Sequence, residues 1–353
     1  MNAEAAASAA AALLQRGRDA EASGAPADAL RHYDAARALL SAAPDGPGPR
    51  RLLALAWMNR GNVLQRQAGA APLLEAVAAY DAAIALLGAL PFAADPALRN
   101  HLGAAWLNRG HALQRFADPA RLAAALHSFR TAIGLLRPIS SAAGESAARA
   151  NLAGALINLA DTLVASDEPG RLGSARAAAR EALDLAAPAE NAEPLWAELG
   201  LMARRAHAMA LGGLLAGACA PDLVGEASDT IESGLALVRR WDTGENRPLQ
   251  PFARRFFRFG AELYRRHQPH FLAEFVLETL AAPDSPAVWA ADREMQVAAQ
   301  DAIAAALQDL REPQLLIAGD PVTERILATR RTLTIARERL RSLFSPEASG
   351  ITA

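Results

Sequence analysis

Side-chain amides recur at fixed intervals in the first half of the chain. Asn59, Asn108 and Asn158 stand 49 and 50 residues apart, and each precedes a glycine or an alanine by two positions. Gln15 has the same position ahead of Gly17. Because an amide carries both donors and an acceptor, a row of amides can pair with the N–H and C=O groups of an extended peptide. The alternative is that each amide bonds a neighbouring repeat and orders the array.

Polar and cationic side chains follow the first two asparagines. Asn62 and Arg66 are four residues apart, as are His111 and Arg115, and this spacing places each pair on one helix face. Since Arg binds carboxylates bidentately, such a face on the inside of a groove would favour an acidic peptide or a C-terminal carboxylate. The alternative is a solvated face on which arginines pair with acids. The residues concerned would be Arg60, Arg109, Glu75 and Asp81.

A second basic region lies in residues 251–275, where arginines are interleaved with aromatic side chains. Such a mixture can bind RNA or anionic lipid. It is also what an aromatic-cored helix with a charged outer face would contain. The residues are Arg254, Arg255, Arg258, Arg265 and Arg266 among Phe252, Phe256, Phe257, Phe259, Tyr264 and Phe271.

Motifs of the common catalytic and nucleotide sites are missing from the chain: it has no GxxxxGK[ST], GxGxxG, GxSxG or HExxH. His267 and His270 are close, but the intervening Pro269 predicts a loop and no cysteine lies nearby. Cys219 is the single cysteine, which excludes an intrachain disulfide, and its apolar surroundings predict a buried core residue. We therefore expect a non-catalytic protein with no cofactor and no metal.

These residues belong to a sequence that repeats. Residues 56–66 read AWMNRGNVLQR and residues 105–115 read AWLNRGHALQR. A block with alanine, an aromatic, alanine and leucine at steps of 4, 3 and 4 follows each, and these steps define one helix face. The glycine of the first block lets two helices approach, and the aromatic fills the space beside it. The predicted repeat-packing residues are Trp57, Gly61, Tyr80, Trp106, Gly110 and Phe129.

The pattern resembles the tetratricopeptide repeat (TPR), whose first helix shows Trp, Leu-Gly and then an aromatic or Leu, and whose second shows Ala, aromatic, Ala. Trp57, Gly61 and Leu64 match the first helix, and Ala76, Tyr80 and Ala83 match the second. The repeat here is longer than the usual 34 residues. In kinesin-light-chain-type TPRs with longer repeats, an asparagine at this position lines the concave groove. The resemblance thus implies a peptide-backbone role for Asn59, Asn108 and Asn158, and more weakly for Gln15.

We expect an all-α, right-handed superhelical solenoid of helix–turn–helix repeats with a helical C-terminal extension and cap. Four repeats are predicted at about 1–43, 50–91, 98–138 and 146–188, within residues 1–190. Residues 191–344 are predicted to hold degenerate repeats and capping helices, with Ala206 and Gly260 as further small residues. Residues 345–353 are expected to be a flexible tail.

Composition limits the class of partner. The chain has 353 residues, 52% of them hydrophobic, and a net charge of -2, which argues against a bulk nucleic-acid partner. No long uncharged apolar run predicts a membrane span. The apolar N-terminal stretch lacks a preceding basic segment and carries Glu4, which argues against a signal peptide, so we expect a cytoplasmic protein. Every basic residue other than His is Arg. A G+C-rich bacterial genome and selection against lysine modification both predict this usage.

The function predicted from sequence is a protein–protein interaction scaffold or adaptor that binds a partner peptide in a concave groove. One alternative is a regulatory subunit that docks on a folded enzyme through its C-terminal half. Another is a binder of RNA or lipid through residues 251–275. The sequence leaves open whether the groove is free or filled by the chain's own C-terminal part.

Overall fold

A computed structural model describes residues 2–116, 118–141, 146–217, 220–241, 249–281, 287–310 and 321–344. These residues form fifteen α-helices and one short 3₁₀-helix, without a strand among them. The predicted fold class, an all-α array in which helices pack on their neighbours in sequence, is confirmed. Cys219 and the predicted tail at 345–353 lie outside the described residues.

The chain divides into two compact units, unit 1 at Met1–Leu185 and unit 2 at Ala186–Ala353. Unit 1 is a run of four helix pairs, in which the odd-numbered helix of each pair is called its first helix. The pairs are α1 (Ala3–Ala22) with α2 (Pro26–Ser41), α3 (Pro47–Gln65) with α4 (Ala70–Gly88), α5 (Pro96–Gln114) with α6 (Pro119–Leu136), and α7 (Ser146–Ala165) with α8 (Arg171–Ala186).

Several prolines that mark breaks in the sequence also begin helices. Proline suits the first turn because the N–H that it lacks has no helical partner there. Asp95 precedes Pro96 and caps α5, accepting hydrogen bonds from the backbone N–H groups of Ala97 and Leu98 at 2.9 and 3.1 Å. Asp118 caps α6 in the same way, with a bond of 3.0 Å from the Arg121 N–H.

Each of the first three pairs is closed by a glycine under an aromatic ring. A Cβ atom placed on Gly61 would lie 2.7 Å from Cε1 of Tyr80, and one on Gly110 would lie 2.6 Å from Cε1 of Phe129. Gly17 faces the ring of Tyr33 in the same way. All three rings are fully buried. The glycine is therefore required by the close approach of the two helices, since no real Cβ fits in that space.

The fourth pair has two small residues in place of the glycine and the aromatic. Ala160 stands at the glycine position of α7, and Ala179 stands at the aromatic position of α8. Both are fully buried. In the aligned repeats, the extra methyl on the first helix thus accompanies the missing ring on the second.

The first helices of unit 1 lie on the inner side of its curve. α1 contacts α3, α3 contacts α5 and α5 contacts α7, whereas α2, α4 and α6 make no comparable contacts with one another. An array whose elements touch along one side and separate along the other must curve toward the touching side. A partner segment that enters the concave side of unit 1 would therefore meet first-helix residues.

α4 is the one helix in the described residues that has the length and composition to cross a membrane, with a mean hydropathy of 1.6. In unit 1 it packs against both α3 and α5. Glu75 and Asp81 interrupt its apolar run, and each pairs with an arginine of a neighbouring first helix. α4 is thus packed and ion-paired between two neighbouring first helices of the array.

Unit 2 has a less regular order of packing. Its helices are α9 (Pro194–Gly217), α10 (Pro221–Trp241), α11 (Gln250–His267), α12 (Pro269–Ala281), α13 (Ala287–Ala291), α14 (Arg293–Asp309) and α15 (Pro321–Leu343). α11 contacts α14 as well as α10, and α12 contacts α15. The glycine–aromatic contact recurs here, because Gly260 of α11 faces the ring of Phe275 of α12.

Candidate functional site

The predicted amide row lies on the first helices of unit 1, but its members differ in their surroundings. Asn59, Asn108 and Asn158 are all partly buried. Within the described residues, the side chains of Asn59 and Asn158 have no hydrogen-bond partner. Gln15 is exposed and bonds within its own helix, to Asp19 at 2.8 Å and to Arg18 at 2.5 Å.

Asn108 is used in the contact between two repeats. Its Nδ2 donates to Oδ1 of Asn62 at 3.0 Å, and the hydroxyl of Tyr80 donates to the same oxygen at 2.8 Å. Asn62 therefore links α4 to α3 and α3 to α5. The Nδ2 group of Asn108 therefore joins two neighbouring repeats, as in the alternative in which the amides order the array. Its Oδ1 can still accept a hydrogen bond from a ligand.

Arginines join each first helix to the preceding pair. Nε of Arg60 donates to Asp34 at 3.1 Å, and Nε of Arg109 donates to Asp81 at 2.6 Å. Asp34 and Asp81 each follow the aromatic of the preceding second helix, so the two ion pairs are equivalent. Arg60 also bonds Glu75 of its own pair at 2.9 Å. Arg60 and Arg109 are therefore paired with acids, as expected for the alternative of a solvated helix face.

Arg66 and Arg115 make a second set of equivalent contacts. Arg66 binds the carboxylate of Glu21 near the end of α1, and Arg115 donates to the backbone carbonyl of Gln65 at the end of α3. A guanidinium at a helix C-terminus is favoured by the unpaired carbonyls and by the helix dipole. A guanidinium has five N–H donors, so both exposed side chains keep donors for a ligand.

His111 lies on α5, one helical turn before Arg115. Its side chain is exposed, yet the protein around it lowers its pKa, first through desolvation and then through the charge of Arg115. A lowered pKa keeps His111 neutral near pH 7, where one ring nitrogen donates and the other accepts.

We expect the substitution Arg115→Met to raise the pKa of His111 toward its ordinary value, because a neighbouring positive charge is removed. Desolvation remains, so the new pKa should stay below that of a free histidine. An NMR titration of the imidazole resonances measures this shift. Arg31→Met, which removes an exposed arginine of α2, should leave the titration of His111 unchanged. An unmoved midpoint in Arg115→Met would contradict the assigned cause.

A further amide link between first helices was not predicted from the sequence. Nδ2 of Asn151 on α7 donates to Oδ1 of Asn100 on α5 at 2.9 Å. The two residues are 51 positions apart, whereas the repeats here are offset by 50, so aligning the repeats does not bring them together. A search for asparagines one position out of register would have found the pair.

The remaining repeat-packing residues lie at the edges of the same contacts. Trp57 and Trp106 are partly buried against the core between the second and third pairs. The guanidinium of Arg37 lies 3.4 Å from the Trp57 ring centroid, and that of Arg109 lies 5.5 Å from the Trp106 centroid. The contact of Arg37 with Trp57 joins the first pair to the second, whereas that of Arg109 with Trp106 lies within α5.

The basic region at 251–275 is largely neutralised within unit 2. Arg254 bonds Asp292 at 2.8 Å and Glu294 at 3.1 Å. Arg265 and Arg266 both bind Glu262, and together they hold its pKa at about 2. Arg255 and Arg258 are exposed and have no acidic partner among the described residues. The aromatics Phe256, Phe257 and Tyr264 belong to the core of unit 2.

No group of three or more potential metal ligands occurs in the part of the chain that the structure describes. His267 ends α11 and His270 lies in the first turn of α12, separated by the single non-helical residue Gln268. The ring of His270 contacts that of Phe271 in a tilted arrangement, with a centroid distance of 4.2 Å and an interplanar angle of 44°. The junction is therefore a tight turn between two helices.

No family model matches the sequence, and no curated protein matches it. Among solved structures, the chain is similar to Nro1, described as a hypoxic regulator of sterol synthesis and a nuclear import adaptor. The likeness covers 92% of this chain and 93% of that chain, at 14% sequence identity and a TM-score of 0.49. A likeness of this degree carries no conclusion about function.

Proposed function

We propose that the chain is a TPR-like interaction scaffold or adaptor that holds an extended segment of a protein partner on the inner side of unit 1. The observation that carries this proposal is the amide row. Asn59 and Asn158 lie on helices that touch along the inner side, and their side chains are unpaired within the described residues. Amides so placed can exchange donors and acceptors with a peptide backbone.

The flanking groups set the chemistry of the partner. Arg66 and Arg115 are exposed and each has donors left over, and His111 lies one helical turn before Arg115. A segment with carboxylates fits this face because guanidinium–carboxylate bonds are strong in partly desolvated sites. Asn108 contributes its Oδ1, since its Nδ2 is already bonded to Asn62. We therefore propose an acidic segment, held mainly by its backbone.

The proposal is tested with the variant Asn59→Ala/Asn158→Ala. The full chain and the variant would be used to capture partners from the source cells, followed by mass spectrometry and by calorimetric titration of the captured segment. Losing two hydrogen bonds of about 0.5–1.5 kcal/mol each should weaken binding by about 5-fold to 150-fold. Neither side chain has a bond to lose in the described residues, so the variant should keep its melting temperature.

The matched control is Asn191→Ala/Gln308→Ala, which removes two exposed amides from unit 2. It should bind like the unchanged protein. A segment that binds both variants equally well would exclude the amide row as the binding site. An equal loss in both variants would exclude it as well, since it would show that the effect does not depend on the inner side of unit 1.

A further inference from the structure

A recess lies wholly within unit 2, between α9 and α11. Binding at this recess would be a function separate from the one proposed for unit 1. It has a volume of about 390 Å³, room for one or two large side chains. Its walls are apolar except for two guanidinium groups, and none of the six described residues that line it is acidic. They are Arg205, Ala208, Met209, Arg255, Phe256 and Phe259.

The recess is fixed by the core beneath it. Phe256 is only 2% exposed and packs over Gly234 of α10, where an added Cβ would lie 2.8 Å from the ring. Phe259 lies over Gly212, where a Cβ would come within 2.7 Å of its Cε2. Met209 forms the outer edge and is 42% exposed. Rigid aromatic walls with a flexible methionine at the rim suit a partner side chain of variable shape.

The charges beside the recess are positive. Arg255 is exposed and has no acidic partner among the described residues. Arg205 of α9 also lines the recess, and its Nη1 lies 3.6 Å from Sδ of Met209. A guanidinium beside an apolar wall favours a ligand that combines an apolar group with a nearby carboxylate. Charge and shape together therefore specify an apolar anchor with acidic neighbours.

We propose that this recess binds a bulky apolar side chain of an acidic protein segment, with a carboxylate of that segment on Arg255. Its concave shape suits an inserted anchor residue, whereas a membrane-binding surface would present protruding apolar groups. Of the five arginines in residues 251–275, three are bound to acids of unit 2: Arg254, Arg265 and Arg266. The few cations that remain are poorly suited to a polyanion such as RNA, whose binding rests on many phosphate contacts.

The test uses the full chain and a phage-displayed random peptide library, with affinities of selected peptides measured by fluorescence anisotropy. Enriched peptides should carry Phe, Leu, Trp or Met next to Asp or Glu. Arg255→Glu should weaken them by about tenfold or more, because a charge-assisted contact becomes a repulsion. Met209→Ala should weaken them by a smaller factor. Circular dichroism would verify that both variants remain helical.

Two matched controls separate the recess from general surface effects. Arg258→Glu makes the same charge change on the same helix, and Leu195→Ala removes an exposed apolar side chain from α9; both lie outside the recess. Both should leave the affinity unchanged. The proposal is overturned if no acidic–apolar peptide is enriched, or if Arg258→Glu weakens binding as much as Arg255→Glu. It is also overturned if phosphatidylserine vesicles or oligouridine RNA bind in an Arg255-dependent way and no peptide does.

Discussion

The substitution Gly61→Ala should destabilise the protein by about 1–3 kcal/mol, the range for overpacking a close-packed contact. The new Cβ would lie 2.7 Å from Cε1 and 2.9 Å from Cζ of Tyr80, closer than carbon atoms approach without displacement. The ring has no free space to move into, because it is fully buried and its hydroxyl is bonded to Asn62. Urea unfolding followed by circular dichroism measures the change.

Gly134→Ala provides the matched control in the same unit. This glycine lies in α6 and has no atom within 4 Å of its added Cβ. Replacing it should stabilise the protein by about 0.5–1 kcal/mol, because alanine is the better helix former. Two identical chemical changes are therefore expected to have opposite signs. A stabilising effect of Gly61→Ala would contradict the prediction, because it would show that Tyr80 can shift to make room for the added methyl group.

The fourth pair suggests a partial rescue of the same change. Ala160 and Ala179 occupy the two positions that Gly61 and Tyr80 hold in the second pair. Adding Tyr80→Ala to Gly61→Ala should therefore cost less than the sum of the two single changes, since the methyl occupies space that the ring vacates. A double-mutant cycle measures the coupling. Strict additivity would contradict the direct contact between the two side chains.

The second large effect is expected at Arg204 in unit 2. Its guanidinium forms a two-bond pair with Glu190, at 2.7 and 2.9 Å, and a third bond of 3.0 Å to Ser233. The two charged side chains are only 12% and 10% exposed. Removing one partner of such a pair leaves a buried charge without compensation, so Arg204→Met should cost about 3–5 kcal/mol. Urea unfolding at neutral pH measures the loss.

Arg31→Met is the control for this prediction. Arg31 pairs with Asp28 on the surface of α2, where the side chains are 74% and 48% exposed, and the loss should be below about 1 kcal/mol. The double change Arg204→Met/Glu190→Gln should recover part of the stability, because no buried charge is then left unpaired. Equal effects of Arg204→Met and Arg31→Met would contradict the burial of the first pair.

The sequence was most informative where a contact repeats. Gly61 with Tyr80 and Gly110 with Phe129 were recognisable because both members recur at one spacing, and in each copy the small residue meets the ring. The amides were placed on the first helices by the same argument. Their individual roles were not predictable, since the bond from Asn108 to Asn62 depends on the reach of two side chains.

Unit 2 shows where sequence reasoning ends. Its helices follow from apolar periodicity, but the packing of α11 on α14 and of α12 on α15 leaves no periodic trace in the sequence. Likewise, Met209 and Phe259 are 50 residues apart on helices that are not consecutive, and nothing local connects them. Only the three-dimensional arrangement brings Arg205 and Met209 of α9 to the same recess as Arg255 and Phe259 of α11.

The order of contacts in the two units also bears on how the chain folds as it leaves the ribosome. In unit 1, Arg60 and Arg66 reach back to the first pair, and Arg109 and Arg115 reach back to the second. Each interface is thus complete once the next pair has emerged, so the nascent chain can fold step by step. Unit 2 cannot fold in this way, because α11 and α12 must wait for α14 and α15 to be synthesised.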